Sequence, residues 1–160
     1  IRAASASSAT TLSIYELQYL LDKIKVREIM NKNVITCNPR EKISIILYKL
    51  KTFNISGMPV VVKGRLEGII TRTDIIDYLT MGLEVTEIDK EELLSKYNTP
   101  VDAIMKRDVI TVLPGTPIEE AAKIMIEHNI NMLPVVQEGK LIGILTRGDI
   151  IKALAHQGEG

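Results

Sequence analysis

Tryptophan is absent from these 160 residues and phenylalanine occurs once, at Phe53. The chain therefore has few flat rings on which splayed nucleic-acid bases could stack, and no basic stripe is interleaved with aromatics. Lysine plus arginine equals aspartate plus glutamate at 20 each, so no net field draws the chain toward nucleic acid or an anionic membrane. One cysteine, Cys37, permits no internal disulfide, and neither a CxxC pair nor a His/Cys cluster has the spacing of a zinc site. A reducing, cytoplasmic location fits. No apolar run approaches the roughly 20 residues that a membrane-spanning helix needs, so a soluble protein with no membrane partner is expected. The opening IRAASASSATT begins without methionine and lacks the apolar centre of a signal peptide; residues 1–11 read as a fragment edge or an expression remnant.

What is present is a repeat. Val26 to Leu79 matches Val101 to Leu154 at a constant offset of 75 residues without a gap. The pairs include Met30/Met105, Val34-Ile35-Thr36/Val109-Ile110-Thr111, Asn54-Ile55/Asn129-Ile130, Pro59-Val60-Val61/Pro134-Val135-Val136, Gly68-Ile69/Gly143-Ile144 and Thr71-Arg72-x-Asp74/Thr146-Arg147-x-Asp149.

Each copy predicts the same order of elements. A short strand at Val34 to Thr36 turns at Pro39 into a helix whose apolar positions Ile43, Ile46, Leu47, Leu50 and Phe53 fall on one core-facing side. In the second copy this helix opens with Thr116-Pro117-Ile118-Glu119, a cap threonine, a proline at the first helical position and a capping-box glutamate. Two apolar runs joined by Lys63-Gly64-Arg65, or around Gly139, then form a hairpin. A second helix follows Thr71 to Asp74 and carries Ile75, Ile76 and Leu79. Each copy thus reads β-α-β-β-α, too short to bury its apolar face alone. Pairing the copies about a pseudo-twofold axis into one mixed α/β domain would bury both.

The expected boundaries are a leader and N-terminal helix over 1–25, copy one over 26–82, a helical linker over 83–100 and copy two over 101–157. Ser13-x-x-Glu16 would cap a helix with Ile14, Leu17, Leu20, Leu21 and Ile24 on one side. The linker carries a helix around Glu91 to Tyr97, and its mixed charges, Asp89, Lys90, Glu91, Glu92 and Lys96, read as a solvated face.

Val26-Arg27-Glu28-Ile29-Met30, Ile55-Ser56-Gly57-Met58-Pro59-Val60-Val61 and Gly68-Ile69-Ile70-Thr71-Arg72-Thr73-Asp74, with their counterparts 75 residues on, resemble the cystathionine-beta-synthase (CBS) motif. The resemblance covers about two-thirds of the chain. It implies an α/β fold of class α+β in which two β-α-β-β-α motifs form a Bateman module, commonly a homodimer, with two ligand clefts between motifs. One cleft would combine Ile35, Thr36, Ile55, Ser56, Gly57 and Pro59 with Thr146, Arg147 and Asp149. The other would combine Ile110, Thr111, Ile130, Asn131, Met132 and Pro134 with Thr71, Arg72 and Asp74. The ligand implied is an adenine nucleotide (AMP, ADP, ATP) or an adenosyl compound such as S-adenosylmethionine, with no cofactor or metal required.

The residue types suit such a ligand. A carboxylate at Asp149 accepts both hydrogens of a ribose diol. Thr146 and the first backbone N–H groups of the next helix offer donors to a phosphate, and Arg147 adds a forked donor. Ile35 and Ile55 offer apolar surface to the purine, whose edge meets the backbone of residues 56–58, with Gly57 leaving room. Taken alone, though, Thr-x-x-Asp ahead of an apolar helix is a capping box. Because Ser56-Gly57 becomes Asn131-Met132 in the second copy, the Gly57/Asp149 cleft is expected to bind more tightly, the methionine filling space that glycine leaves open.

Other functions have less behind them. No nucleophile stands beside a base and no carboxylates pair on one face, so the chain reads as a sensor and not an enzyme. His128 and His156 have no partner at metal-ligand spacing. Cys37 reads as a small structural cysteine, useful at most as a labelling handle. The alternative from another class is a protein-interaction module with vestigial clefts and an unidentified protein partner.

Overall fold

The computed structural model describes residues 14–81 and 89–159. They form α1 (Ile14–Lys23), α2 (Val26–Ile29), α3 (Ile43–Thr52), β1 (Gly57–Val62), β2 (Arg65–Thr71), α4 (Arg72–Thr80), α5 (Lys90–Tyr97), a 3₁₀ turn at Val101–Ala103, α6 (Ile118–His128), β3 (Met132–Gln137), β4 (Lys140–Thr146) and α7 (Arg147–Glu159). The proposed cap Ser13 and the leader lie outside the described residues, as does residue 83 with the start of the linker; the same holds for the side chains of Ile14, Leu17, Leu20, Leu21 and His156.

Two compact units emerge, and their boundaries cut through the repeats. One is contiguous, residues 34–109; the other is split, its described parts being residues 14–33 and 110–159. The first eight residues of copy one therefore fold with the body of copy two, and residues 101–109 of copy two fold with the body of copy one.

In the contiguous unit, β1 and β2 are an antiparallel hairpin in the register Gly57↔Thr71 and Met58↔Ile70, closed by Lys63 and Gly64 at φ 51° and 80°. Positive φ at both central residues is the signature of the tight turn whose twist matches the strands it joins. Strand β1 buries its first four residues in a row. Met58, Val60 and Ile70 meet Ile43, Ile46 and Leu50 of α3, Ile75 of α4, and Val101 and Met105 from the returning segment. The start of α3 is tied down by Ile43 N–H donating to the Thr99 carbonyl at 2.9 Å and Val101 N–H to the Glu41 carbonyl at 2.8 Å.

The split unit repeats this plan. Strands β3 and β4 pair Met132↔Thr146 and Leu133↔Leu145, with Glu138 and Gly139 at φ 53° and 81°. Val26, Val112, Ile118, Ala121, Met125, Leu133, Val135, Leu145 and Ile150 are its core. Here the N-terminal segment does the tying: Ile118 N–H donates to the Ile24 carbonyl at 3.0 Å and Val26 N–H to the Thr116 carbonyl at 2.8 Å.

Three sequence expectations are corrected. Residues 34–36 and 109–111 form no strand; each leads to a single parallel bridge, Cys37↔Val60 or Val112↔Val135. Phe53 follows the last turn of α3 and is half exposed, because the helix ends there and Asn54 turns left-handed at φ 51°. Asn129 does the same after α6, so the repeated Asn-Ile is a helix stop: Ile55 N–H reaches back to the Leu50 carbonyl, and Ile130 N–H to that of Met125. Finally, Thr116 does not cap α6. Pro117 holds the cap position, and the Thr116 hydroxyl accepts from Leu113 N–H at 3.1 Å within the preceding turn.

Candidate functional site

The two acidic turns are built alike. In the contiguous unit, the Thr71 hydroxyl accepts from Asp74 N–H at 3.3 Å and Asp74 Oδ2 accepts from Thr71 N–H at 3.1 Å. In the split unit the same reciprocal pair joins Thr146 and Asp149, at 3.1 and 2.9 Å. Each turn is thus a complete capping box, which fixes the carboxylate by one oxygen and satisfies two donors at the helix start.

The hairpin brings each turn to the segment that precedes its first strand. Arg72 N–H donates to the Ser56 carbonyl at 2.9 Å and Arg72 Nε to the Ile55 carbonyl at 3.0 Å. Arg147 N–H donates to the Asn131 carbonyl at 3.1 Å, Nε to Ile130 at 3.0 Å and Nη2 to Met125 at 3.0 Å. The guanidinium offered to a phosphate in the sequence reading therefore spends two nitrogens on carbonyls at the end of α6. Arg147 clips helix, loop and turn together, a job that its rigid planar fork suits and a lysine does not.

Ile35 and Ile55 are half-buried against the core of the contiguous unit, and Ile110 and Ile130 against that of the split unit. Ser56 and Asn131 are exposed, whereas Gly57, Pro59, Met132 and Pro134 are buried. Thr36 and Thr111 are half-buried, and the Thr36 carbonyl takes a 3.0 Å hydrogen bond from Lys49 Nζ, which also pairs with Glu41 at 2.8 Å. Position 124, the counterpart of Lys49, is isoleucine, so this clamp exists once.

The space at Gly57 corrects another expectation. A Cβ there would stand 2.7 Å from the Ile70 carbonyl oxygen and 3.1 Å from the Thr71 methyl group. The glycine is used by its own strand partner, so it does not hold open a void that Met132 fills in the other copy. Lys96, read as part of a solvated face, is buried at 9 % exposure. Its ammonium donates to the Met81 carbonyl at the end of α4 at 2.9 Å, pairs with Glu92 at 3.6 Å and lies 5.5 Å above the Tyr78 ring. Carbonyl, carboxylate and ring face together offset the cost of burying that charge.

Residues that the repeat alone did not single out complete the acidic turns. Lys106 Nζ lies 3.3 Å from Asp74 Oδ1. The position 75 residues earlier is Asn31, and both residues hold the same place in their units: Lys106 exchanges two 2.9 Å backbone hydrogen bonds with Ile69, and Asn31 does so with Ile144. The signal was present in the sequence as the conserved spacing of Met30-Asn31 and Met105-Lys106 from the two Gly-Ile pairs, but spacing does not say which copy packs on which. Among the described residues, no cation pairs with Asp149 and no group of histidine, cysteine and carboxylate side chains could hold a metal ion. Nor is any described helix long and apolar enough to cross a membrane. His128 is exposed in the last turn of α6.

Cys37 is buried at 3 % exposure beside the Pro59 carbonyl, which makes it a poor labelling handle. Burial, with the Glu41 carboxylate adding to it, pushes the thiol up from 9.0 to about 12. The folded thiol keeps its proton after the unfolded chain has lost it, so its contribution to stability is complete below pH 9 and is lost as pH climbs toward 12. We expect wild type to lose stability more steeply across that window than Cys37→Ala, as denaturant titrations at successive pH values would read; parallel curves would contradict it.

The comparisons with known proteins follow the same two segments. The family description "CBS domain" matches residues 26–80 and 101–156. Over 130 residues the chain is 37 % identical to uncharacterized protein MJ1225 of Methanocaldococcus jannaschii, spanning 81 % of this chain and 42 % of that one. The crystal structure of MJ1225 aligns with a TM-score of 0.75 at 33 % identity, over 86 % of this chain and 51 % of that one. The CBS domain pair of protein MJ0100, solved with 5′-methylthioadenosine and S-adenosyl-L-methionine, aligns with a TM-score of 0.68 at 29 % identity, over 84 % of this chain and 98 % of that one. CBSX2, solved with AMP, aligns with a TM-score of 0.70 at 29 % identity, over 83 % and 97 %.

Proposed function

This chain belongs to the CBS domain family, and from that premise we propose that it is a non-catalytic sensor of an adenosine-containing ligand. Its acidic turns, Thr71 to Asp74 and Thr146 to Asp149, take the ribose, and the half-buried isoleucines at 35, 55, 110 and 130 take the base. The observation that carries this reading is the twin capping box: each aspartate gives one oxygen to its own turn, and the other is outside the cap and can meet a diol, at Asp74 in place of the Lys106 ammonium. The complexes of MJ0100 with 5′-methylthioadenosine and S-adenosyl-L-methionine and of CBSX2 with AMP support the ligand class. The same proposal makes the chain a cytoplasmic homodimer, which sedimentation equilibrium would test for the oligomeric part.

A ligand that binds only the folded chain stabilises it by RT ln(1 + [L]/Kd), about 2.7 kcal/mol at a hundredfold excess over Kd. For a chain of this size that is a rise in melting temperature of about 5–10 °C. We expect at least one of AMP, ADP, ATP, S-adenosylmethionine and 5′-methylthioadenosine to produce it. A flat response to all five would reject the sensor reading in favour of an interaction module.

A further inference from the structure

We infer that Lys106 makes the Thr71 to Asp74 turn selective for adenosyl ligands that carry phosphate, whereas the Thr146 to Asp149 turn favours ligands with an uncharged ribose substituent. The inference rests on the sensor reading and adds to it which ligand each turn prefers.

Both turns present one aspartate oxygen after capping, and the turns differ in what stands beside it. At Asp74 that neighbour is the Lys106 ammonium, 3.3 Å from Oδ1. At Asp149 the corresponding residue is Asn31, whose side-chain oxygen accepts from its own neighbour Asn33 N–H at 2.9 Å. Backbone placement cannot explain the difference, since Lys106 and Asn31 are fixed by matching pairs of hydrogen bonds to Ile69 and Ile144. The contrast is one of charge at a shared position.

The Lys106 side chain is 68 % exposed while Asp74 is 11 % exposed. An ion pair with one partner in solvent is weak, so the ammonium can leave the carboxylate when a diol arrives. Its flexible four-carbon stem keeps the charge nearby, and a phosphate attached to the same ribose is the natural next partner. A neutral nucleoside gives nothing in exchange for the pair it breaks. A phosphorylated one offers the ammonium a new anion.

Calorimetric titration of adenosine and AMP into wild type, Asp149→Ala, the double variant Asp149→Ala with Lys106→Asn, and Asn31→Lys tests this, the Asp149→Ala pair reading one turn at a time. We expect Lys106→Asn to reduce AMP affinity about tenfold relative to adenosine, and Asn31→Lys in the otherwise native chain to raise the AMP-to-adenosine ratio. The AMP preference should shrink with added salt wherever Lys106 is present. An unchanged ratio in Lys106→Asn overturns the inference while leaving the sensor reading intact. Failure of wild type to bind either compound rejects the sensor reading and the inference with it.

Discussion

Gly68→Ala lowers the unfolding midpoint by on the order of 10 °C. A Cβ at position 68 would stand 2.7 Å from Met105 Sδ and 2.9 Å from the Lys106 carbonyl oxygen. The sulfur belongs to a flexible side chain that can give. The carbonyl belongs to a segment held by two 2.9 Å hydrogen bonds to Ile69, next door to the substitution, so relief requires breaking that bridge. Overpacking of this kind costs about 1–3 kcal/mol, more where backbone must move. At Gly143 the closest contact is 2.5 Å to Met30 Sδ, but the backbone contact relaxes to 3.2 Å at the Asn31 carbonyl. Gly143→Ala should therefore cost less, and Met30→Ala should rescue part of it, whereas Met105→Ala should not rescue Gly68→Ala. Gly115 is the control: its nearest neighbour would be Arg27 Nη1 at 3.5 Å, an ordinary contact. Thermal unfolding of the five variants reads the order directly, and equal midpoints for Gly68→Ala and Gly115→Ala would refute the close approach.

That approach also shows where sequence reasoning stops. The repeat at offset 75 gave the helix-hairpin-helix order that follows each opening segment and the two Thr-x-x-Asp turns, because each depends on residues close in the chain: a helical apolar spacing, a Lys-Gly turn, a cap three residues from its partner. The exchange of opening segments leaves no such trace. Met30 and Met105 are interchangeable in pattern, so nothing in periodicity says that Met105 faces Gly68 and Met30 faces Gly143. Buried charge was equally hidden. Lys96 looks like any lysine on a mixed-charge helix until the Met81 carbonyl and the Tyr78 ring are placed around it. Phe53 errs in the opposite direction: its spacing fits the apolar face of α3, but the helix ends one residue too early to bury it. The acidic turns were legible as capping boxes, and the structure gives that role to one oxygen of each carboxylate.

Loss of Asp149 should weaken adenosine binding more than loss of Asp74. Both residues give Oδ2 to the backbone N–H of their own cap threonine, so alanine at either removes the same hydrogen bond and leaves the threonine cap in place, about 0.5–1.5 kcal/mol of stability in each case. The comparison between them is then a comparison of the second oxygen. For Asp74 that oxygen is 3.3 Å from the Lys106 ammonium, and a diol must displace the cation before it can bind. In the other unit the counterpart of Lys106 is the uncharged Asn31, and among the described residues Asp149 has no ion pair to open. Hydrogen bonds to a charged group contribute about 1.5–3 kcal/mol, so Asp149→Ala should reduce affinity by roughly 10- to 100-fold, and Asp74→Ala by less. Adenosine is the ligand to use because it carries no phosphate for Lys106 to recover. Matched melting temperatures of the two unliganded variants would establish that the caps cancel, and a greater affinity loss in Asp74→Ala would reverse the ranking of the turns.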